Sequence, residues 1–155
     1  MIYLQILVGA VMRHIGAGLA IPDFPLVFGG LIPPKIDFAI GIHYTHRIGA
    51  LLVATLVFWT LGRVLRLAAS EPALSRTAGA LAALVLVQGT LGGLVVWTSK
   101  AVLPNTLHVG TGALLIATSV VLTLACRRLS WLADRQPLQS PTPAVDMLGA
   151  EQATT

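Results

Sequence analysis

Three histidines occupy positions from which they could bind iron or another transition metal. His43 and His46 are three residues apart, a spacing that places both side chains on one face of a helix, and His108 stands alone in a later segment. Two imidazoles from facing helices can be the axial ligands of a heme, whereas three imidazoles at one site could bind a Zn or Cu ion. A catalytic ion more often has a carboxylate or thiolate ligand too, and none adjoins these histidines. The sequence therefore favours heme over a bare metal ion.

The residues that follow His46 and His108 are nearly identical. Residues 49–55 read GALLVAT, and residues 112–118 read GALLIAT. Both stretches open long apolar segments, so each histidine is predicted near the same end of a membrane helix. Equivalent positions in two similar helices would bring the two imidazoles face to face at one depth, which is the arrangement that bis-histidine heme ligation requires.

A second, weaker repeat precedes each histidine helix. Residues 5–10 read QILVGA, and residues 88–93 read QGTLGG. The chain is therefore predicted to contain one helix pair used twice in the same orientation, and such parallel repeats are related by an axis along the membrane normal. We expect Gln5 and Gln88 to form hydrogen bonds between helices, since polar side chains often do so inside membranes.

Several residues beside the histidines have two possible roles. Arg47 could form a bidentate contact with a heme propionate, or it could extend toward lipid headgroups. Neighbouring glycines could let a flat macrocycle approach the backbone, or they could simply allow close helix packing. These glycines are Gly41, Gly49, Gly110 and Gly112.

The composition is that of a membrane protein. Hydrophobic residues make up 55% of the 155 residues and charged residues only 10%, whereas a soluble domain usually carries about 25% charged residues. The net charge of +4 does not indicate binding to nucleic acid, because the basic residues cluster at the ends of apolar segments, as membrane topology requires.

Three apolar segments are long enough to cross the hydrocarbon core, which takes about 20 residues. They are predicted at about residues 42–62, 78–98 and 101–126. Residues 2–12 are too few to span, and we expect them to be the end of a truncated helix that is completed upstream of Met1 or by a partner. The predicted fold is an all-α integral membrane protein, a four-helix transmembrane bundle built from two parallel helix-pair repeats.

The basic residues also predict the orientation of the bundle. Three arginines lie in the loop after the first spanning segment, and three more follow the last one. By the positive-inside rule these ends are cytoplasmic, so His46 and His108 are expected near the outer face. The Gly- and Pro-rich outer loop, residues 13–41, is expected to cover them. Residues 1–133 are predicted to form the heme-binding domain, and residues 134–155 a disordered cytoplasmic tail.

The outer loop also resembles a known family. Residues 9–25 read GAVMRHIGAGLAIPDFP, which is similar to the phrase G-x-x-V-R-x-T-G-A-G-L-x-C-P-D-W-P of heme A synthases. The His46-Arg47 pair, the LGGL sequence at 91–94 and the LHV sequence at 107–109 also fit. The resemblance runs from about Gln5 to Arg128.

The resemblance implies a role in making the cofactor of cytochrome oxidase. Heme A synthases have eight transmembrane helices in two similar halves, and they oxidise the C8 methyl of heme O to the formyl of heme A with heme b as electron partner. This chain is similar to one half, so two copies or a second half-length chain would complete such an enzyme. The implied iron ligands are His46 and His108, for heme b or heme O, with Arg47 on a propionate. The implied location is the cytoplasmic membrane of a prokaryote; the sequence names no electron donor.

Two features depart from the family pattern. The family usually has a glutamate three residues before the histidine of the His-Arg pair, where this chain has His43, and it usually has two loop cysteines, where this chain has Ile21 and Val27. His43 is expected to act as a catalytic base, because imidazole titrates near neutrality. The departures favour, as an alternative, a non-catalytic b-type heme-binding or heme-handling assembly protein. A structural or transporter-like module without heme is a weaker third interpretation.

Overall fold

The computed structural model describes residues 1–68 and 70–135. It contains four α-helices and one short 3-10 helix, and the described part has no β-strand. The elements are α1 (Ile2–His14), the 3-10 helix (Ala17–Leu19), α2 (Phe38–Leu67), α3 (Pro72–Trp97) and α4 (Val102–Arg135). The predicted all-α membrane bundle is therefore confirmed.

The three long helices begin earlier or end later than the apolar segments predict. Helix α2 begins at Phe38 because the Asp37 carboxylate accepts a hydrogen bond from the Ile40 N–H at 2.8 Å and caps the helix. The connecting loop is accordingly residues 15–37 rather than 13–41. Helix α4 continues to Arg135, two residues into the predicted tail. The rest of that tail lies outside the described residues.

Helices α2, α3 and α4 are each long and apolar enough to cross a membrane. Helix α1 has 13 residues, and at 1.5 Å per residue it is about 20 Å long, less than the core thickness of about 30 Å. Many large apolar side chains of the long helices are exposed, among them Leu51, Trp59, Leu86 and Leu114. Such a surface suits lipid rather than water.

The buried core joins the three long helices toward the end where α2 connects to α3. Val57, Leu81 and Leu122 are typical members of this cluster. Because successive helices run antiparallel, the histidines of α2 and α4 lie toward the opposite end of the bundle. There α1 packs against α2, and α3 packs against both α2 and α4. The apolar core and the histidines of α2 and α4 therefore lie toward different ends of the bundle.

Candidate functional site

Each predicted histidine ligand has a glutamine partner on the helix that precedes it. Gln5 on α1 donates a hydrogen bond from Nε2 to the His46 carbonyl at 2.7 Å, and the same nitrogen lies 3.1 Å from His46 Nδ1. Gln88 on α3 places its Nε2 at 3.4 Å from His108 Nε2. The predicted interhelical contacts of both glutamines are confirmed.

Glycines form the walls of both glutamine–histidine pairs. A Cβ added at Gly9 would lie 2.9 Å from His46 Cε1, and one at Gly92 would lie 3.3 Å from His108 Cε1. Gly9 and Gly92 each follow their glutamine by four residues, which puts them one helical turn away on the same face. The recurrence of this spacing in both repeats is a sequence signal that identifies them, although the predicted set did not include them.

The glycines that follow the histidines contact the glutamines instead. A Cβ at Gly112 would lie 3.4 Å from Gln88 Nε2, and one at Gly49 would collide with the Gln5 side chain. These two glycines therefore allow close helix packing, one of the two roles that the sequence left open. Gly49 follows its histidine by three residues and Gly112 by four. Residues three and four positions apart lie on the same helix face, so each glycine contacts its glutamine despite the one-residue difference in spacing.

His43 lies between the outer loop and Arg47. Only 3% of its surface is exposed. Its Nδ1 lies 3.2 Å from the Ile21 N–H nitrogen, and its Nε2 lies 3.1 Å from Arg47 Nε. Both neighbours are donors, but a neutral imidazole has one acceptor nitrogen. The protonated nitrogen can turn to the nearby Ala17 carbonyl, and one of the two donors then has no acceptor on this ring.

Arg47 holds the outer loop by hydrogen bonds to backbone carbonyls. Its Nη1 donates to the Leu26 oxygen at 2.8 Å, and its Nη2 donates to the oxygens of Ile21 at 3.1 Å and Asp23 at 2.7 Å. With the bond from Nε to His43, four of the five guanidinium N–H groups are used. A bidentate contact with a propionate stays a prediction, and it would require Arg47 to release a loop carbonyl.

An aromatic side chain fixes the same loop to α3. The Phe24 ring fills the space above Gly93, where an added Cβ would lie 2.8 Å from Phe24 Cε1. Trp97 donates from Nε1 to the Phe24 carbonyl at 3.0 Å, and the two rings meet edge to face with centroids 5.8 Å apart. The loop therefore joins the first helix pair to the second.

The positions that usually carry cysteine in heme A synthases are packed inside this loop. Ile21 is fully buried and Val27 is 5% exposed. Val27 pairs with Gly30 through two backbone hydrogen bonds of 2.8 and 3.0 Å. Apolar packing and this backbone pairing hold the loop where a disulfide could otherwise do so.

A tight turn within the loop is closed by the Asp23 carboxylate. Its two oxygens accept hydrogen bonds from the N–H groups of Phe28 and Gly29, both at 2.8 Å. Phe28 and Gly29 have φ values of 52° and 77°, and successive N–H groups in such a turn form a concavity that suits an anion. These bonds, led by that from Gly29, hold the pKa of the Asp23 carboxyl below its ordinary value of 3.8.

Acid should therefore loosen this turn. A lowered pKa means that the stabilisation is complete above the ordinary pKa and is lost as the pH falls through the lowered value. We expect hydrogen exchange at Phe28 and Gly29, corrected for intrinsic rates, to accelerate only in acid.

Asp23→Asn should accelerate hydrogen exchange at Phe28 and Gly29 at neutral pH, because one of the two N–H groups would face an amide NH2. Asp37→Asn is the matched control, since Asn caps a helix as well as Asp does. Unchanged exchange in Asp23→Asn would contradict this role.

The site brings two of the three candidate histidines into comparable settings. His46 and His108 each adjoin a glutamine and a glycine of the preceding helix. In residues 1–68 and 70–135, no group of three or more His, Cys, Asp or Glu side chains is arranged to hold a metal ion. The three-imidazole Zn or Cu alternative therefore has no support in the described structure.

The ring nitrogens of His46 and His108 fit a heme iron better than a bare metal ion. An axial histidine needs one free ring nitrogen while the other is held by a hydrogen bond. His46 has its Nδ1 beside Gln5, and its Nε2 forms no hydrogen bond within the described residues. His108 Nδ1 is a buried nitrogen without a partner there. Each ring thus has one nitrogen without a hydrogen bond among the described residues, and that of His108 is enclosed against Gly92.

Comparisons with known proteins identify relatives of this chain. Residues 1–120 match the model of the COX15-CtaA family, described as cytochrome oxidase assembly protein. The heme A synthase of Shouchella clausii is 36% identical over 134 residues, which are 80% of this chain and 40% of that protein. The heme A synthase of Symbiobacterium thermophilum is 35% identical over 111 residues, which are 70% of this chain and 35% of that protein.

The chain is similar to only part of these relatives. It spans 35% to 40% of the length of the two proteins just described. No solved structure gave a significant match. Because the family model covers most of the chain, from its first residue through the histidine of α4, this integral membrane protein belongs to the COX15-CtaA family of cytochrome oxidase assembly proteins.

Proposed function

We propose that this chain binds heme between its two helix pairs, with His46 and His108 as the axial ligands of heme b or heme O. The observation that carries the proposal is the repeated unit in which a glutamine and a glycine of one helix contact a histidine of the next. The unpaired ring nitrogens support it: His46 Nε2 and His108 Nδ1 have no hydrogen-bond partner among the described residues, and the buried His108 ring would turn to present a nitrogen to iron. A bound heme would supply reversible one-electron transfer.

We further propose that the chain takes part in heme A biosynthesis, as one half of an enzyme that oxidises the C8 methyl of heme O to a formyl. The relatives named heme A synthase support this role. The chain spans 35% to 40% of their length, and as the partner in such an enzyme we propose a second copy or another half-length chain. His43 is the proposed base and Arg47 the proposed propionate contact through its remaining N–H. The proposed location is a prokaryotic cytoplasmic membrane, with the arginine-bearing ends of α2 and α3 and the C-terminus in the cytoplasm.

The ligand assignment predicts a loss of low-spin heme. Purified protein reconstituted with heme b should show the spectrum of six-coordinate, low-spin iron, and His46→Ala or His108→Ala should abolish it because each change removes one axial nitrogen. His14→Ala is the matched control, since His14 is exposed at the end of α1. A low-spin spectrum that survives in both site variants would exclude these ligands.

The non-catalytic alternative has an observation in its favour. His43 occupies the position of the family's usual glutamate, and Ile21 and Val27, in place of the cysteines, are buried in the loop. A b-type heme protein needs neither the acid nor the thiols. Co-expression with a source of heme O separates the two functions: heme A in the extracted pigment supports the synthase, whereas heme b alone supports the heme-binding protein.

A further inference from the structure

The two glutamine–histidine pairs are similar in sequence but unequal in structure. In the first pair, the Gln5 amide nitrogen is fixed by the His46 carbonyl at 2.7 Å and lies within hydrogen-bonding distance of the ring of the same residue. One side chain thus contacts both the backbone and the imidazole of His46. This double contact restricts rotation of the ring as well as the separation of α1 and α2.

The second pair lacks this double contact. Gln88 Nε2 lies 3.4 Å from His108 Nε2, which is longer than the 3.1 Å between Gln5 Nε2 and His46 Nδ1. Gln88 Oε1 and His108 Nδ1 are both buried and have no hydrogen-bond partner among the described residues. Buried polar atoms are nearly always paired in folded proteins, so an acceptor and a ring nitrogen left together in one place mark a position that can still gain a partner.

We propose that Gln5 and Gln88 are positioning residues for the two histidines, and that Gln5 fixes His46 whereas Gln88 leaves His108 free to reorient. The proposal rests on the heme ligation proposed above. It makes His46 the firmly held ligand and His108 the adaptable one. Contacts that orient a ligating imidazole commonly change metal affinity by about 10- to 100-fold when removed.

The test compares the two glutamines in the full chain. Gln5→Leu, Gln88→Leu and Thr55→Val are purified in detergent, checked for helix content, and loaded with hemin. Thr55 is the control because its hydroxyl bonds to the Leu51 carbonyl of its own helix and is exposed. We expect Gln5→Leu to bind hemin about 10- to 100-fold more weakly than the wild type, and Gln88→Leu to change binding much less. Equal effects in the two glutamine variants, or a Gln5→Leu variant that behaves as Thr55→Val does, would overturn the proposal.

A second measurement needs no heme. In protein labelled with ¹⁵N at histidine, Gln5→Leu should shift the His46 ring-nitrogen signals, and Gln88→Leu should leave those of His108 almost unchanged. The opposite pattern would overturn the proposal. If the wild type binds no hemin, the proposed heme ligation fails, and the nitrogen spectra still decide whether the two histidines are held unequally. Variants that lose helix content are replaced by Gln5→Met and Gln88→Met, which keep the side-chain length.

Discussion

Replacing Arg47 with lysine is expected to release the outer loop even though the positive charge is kept. Arg47 contacts three carbonyls of residues 21–26 and the His43 ring through four N–H groups that point in different directions. A lysine has one nitrogen and cannot reach all four acceptors. Because an ammonium has three N–H donors, at least one of the four hydrogen bonds would be lost, so docking of the loop should weaken by about 1.5–3 kcal/mol or more.

Hydrogen exchange and thermal unfolding in detergent measure this effect separately. Exchange at the amide of Ile21, which faces His43, should accelerate strongly in Arg47→Lys. The midpoint of thermal unfolding should fall only slightly, because the core of α2, α3 and α4 does not include the loop. Arg13→Lys is the matched control, since Arg13 is exposed at the end of α1. Wild-type exchange at Ile21 in Arg47→Lys would show that the guanidinium does not hold the loop.

Replacing His43 with glutamate is expected to stabilise the protein. The buried side chain at this position meets two donors, the Ile21 N–H and Arg47 Nε–H, and a neutral imidazole can accept from only one of them. A carboxylate has two acceptor oxygens and would also give Arg47 a negative partner. Leaving a buried donor unpaired costs about 1–3 kcal/mol, so we expect a gain of that size. It would be offset in part by the cost of burying the new charge.

The glutamine variant separates hydrogen bonding from charge. His43→Gln has one acceptor and one donor group, as the neutral imidazole has, so its unfolding midpoint should stay near that of the wild type. His43→Leu removes the one acceptor, leaves both donors unpaired and should unfold first. The expected order of midpoints in detergent at neutral pH is therefore glutamate, then histidine and glutamine together, then leucine. A glutamate variant that unfolds below the wild type would show that the site prefers imidazole.

The sequence predicts the helices and the histidine pairs because both depend on regular spacing. Apolar segments define α2, α3 and α4, the repeats place His46 and His108 at equivalent positions, and polar side chains in apolar helices predict that Gln5 and Gln88 bond to another helix. Local chemistry shifts the ends: the Asp37 cap starts α2 four residues before the predicted Ile42. The apolar pattern carries no information about a helix cap, so it places the start of α2 too late in the sequence.

The environment of Arg47 could not be predicted in the same way. Its partners in the loop are backbone carbonyls of Ile21, Asp23 and Leu26. Every residue has a carbonyl, so nothing in the sequence distinguishes these three. Their direction depends on the turn closed by Asp23 and on the packing of Ile21, which are properties of the folded loop. Side-chain type predicted that Arg47 binds acceptors, but not which acceptors.

The offset between the repeats has a consequence for how duplicated sites diverge. A copied site usually loses its symmetry when one of its residues is substituted. Here glutamine, histidine and both glycines are present in each copy, but three residues separate His46 from Gly49 along the chain while His108 and Gly112 are four apart. The two rings also meet their glutamines through different atoms, Nδ1 in His46 and Nε2 in His108. Duplicated sites can thus become unequal in geometry while every residue of the set is kept.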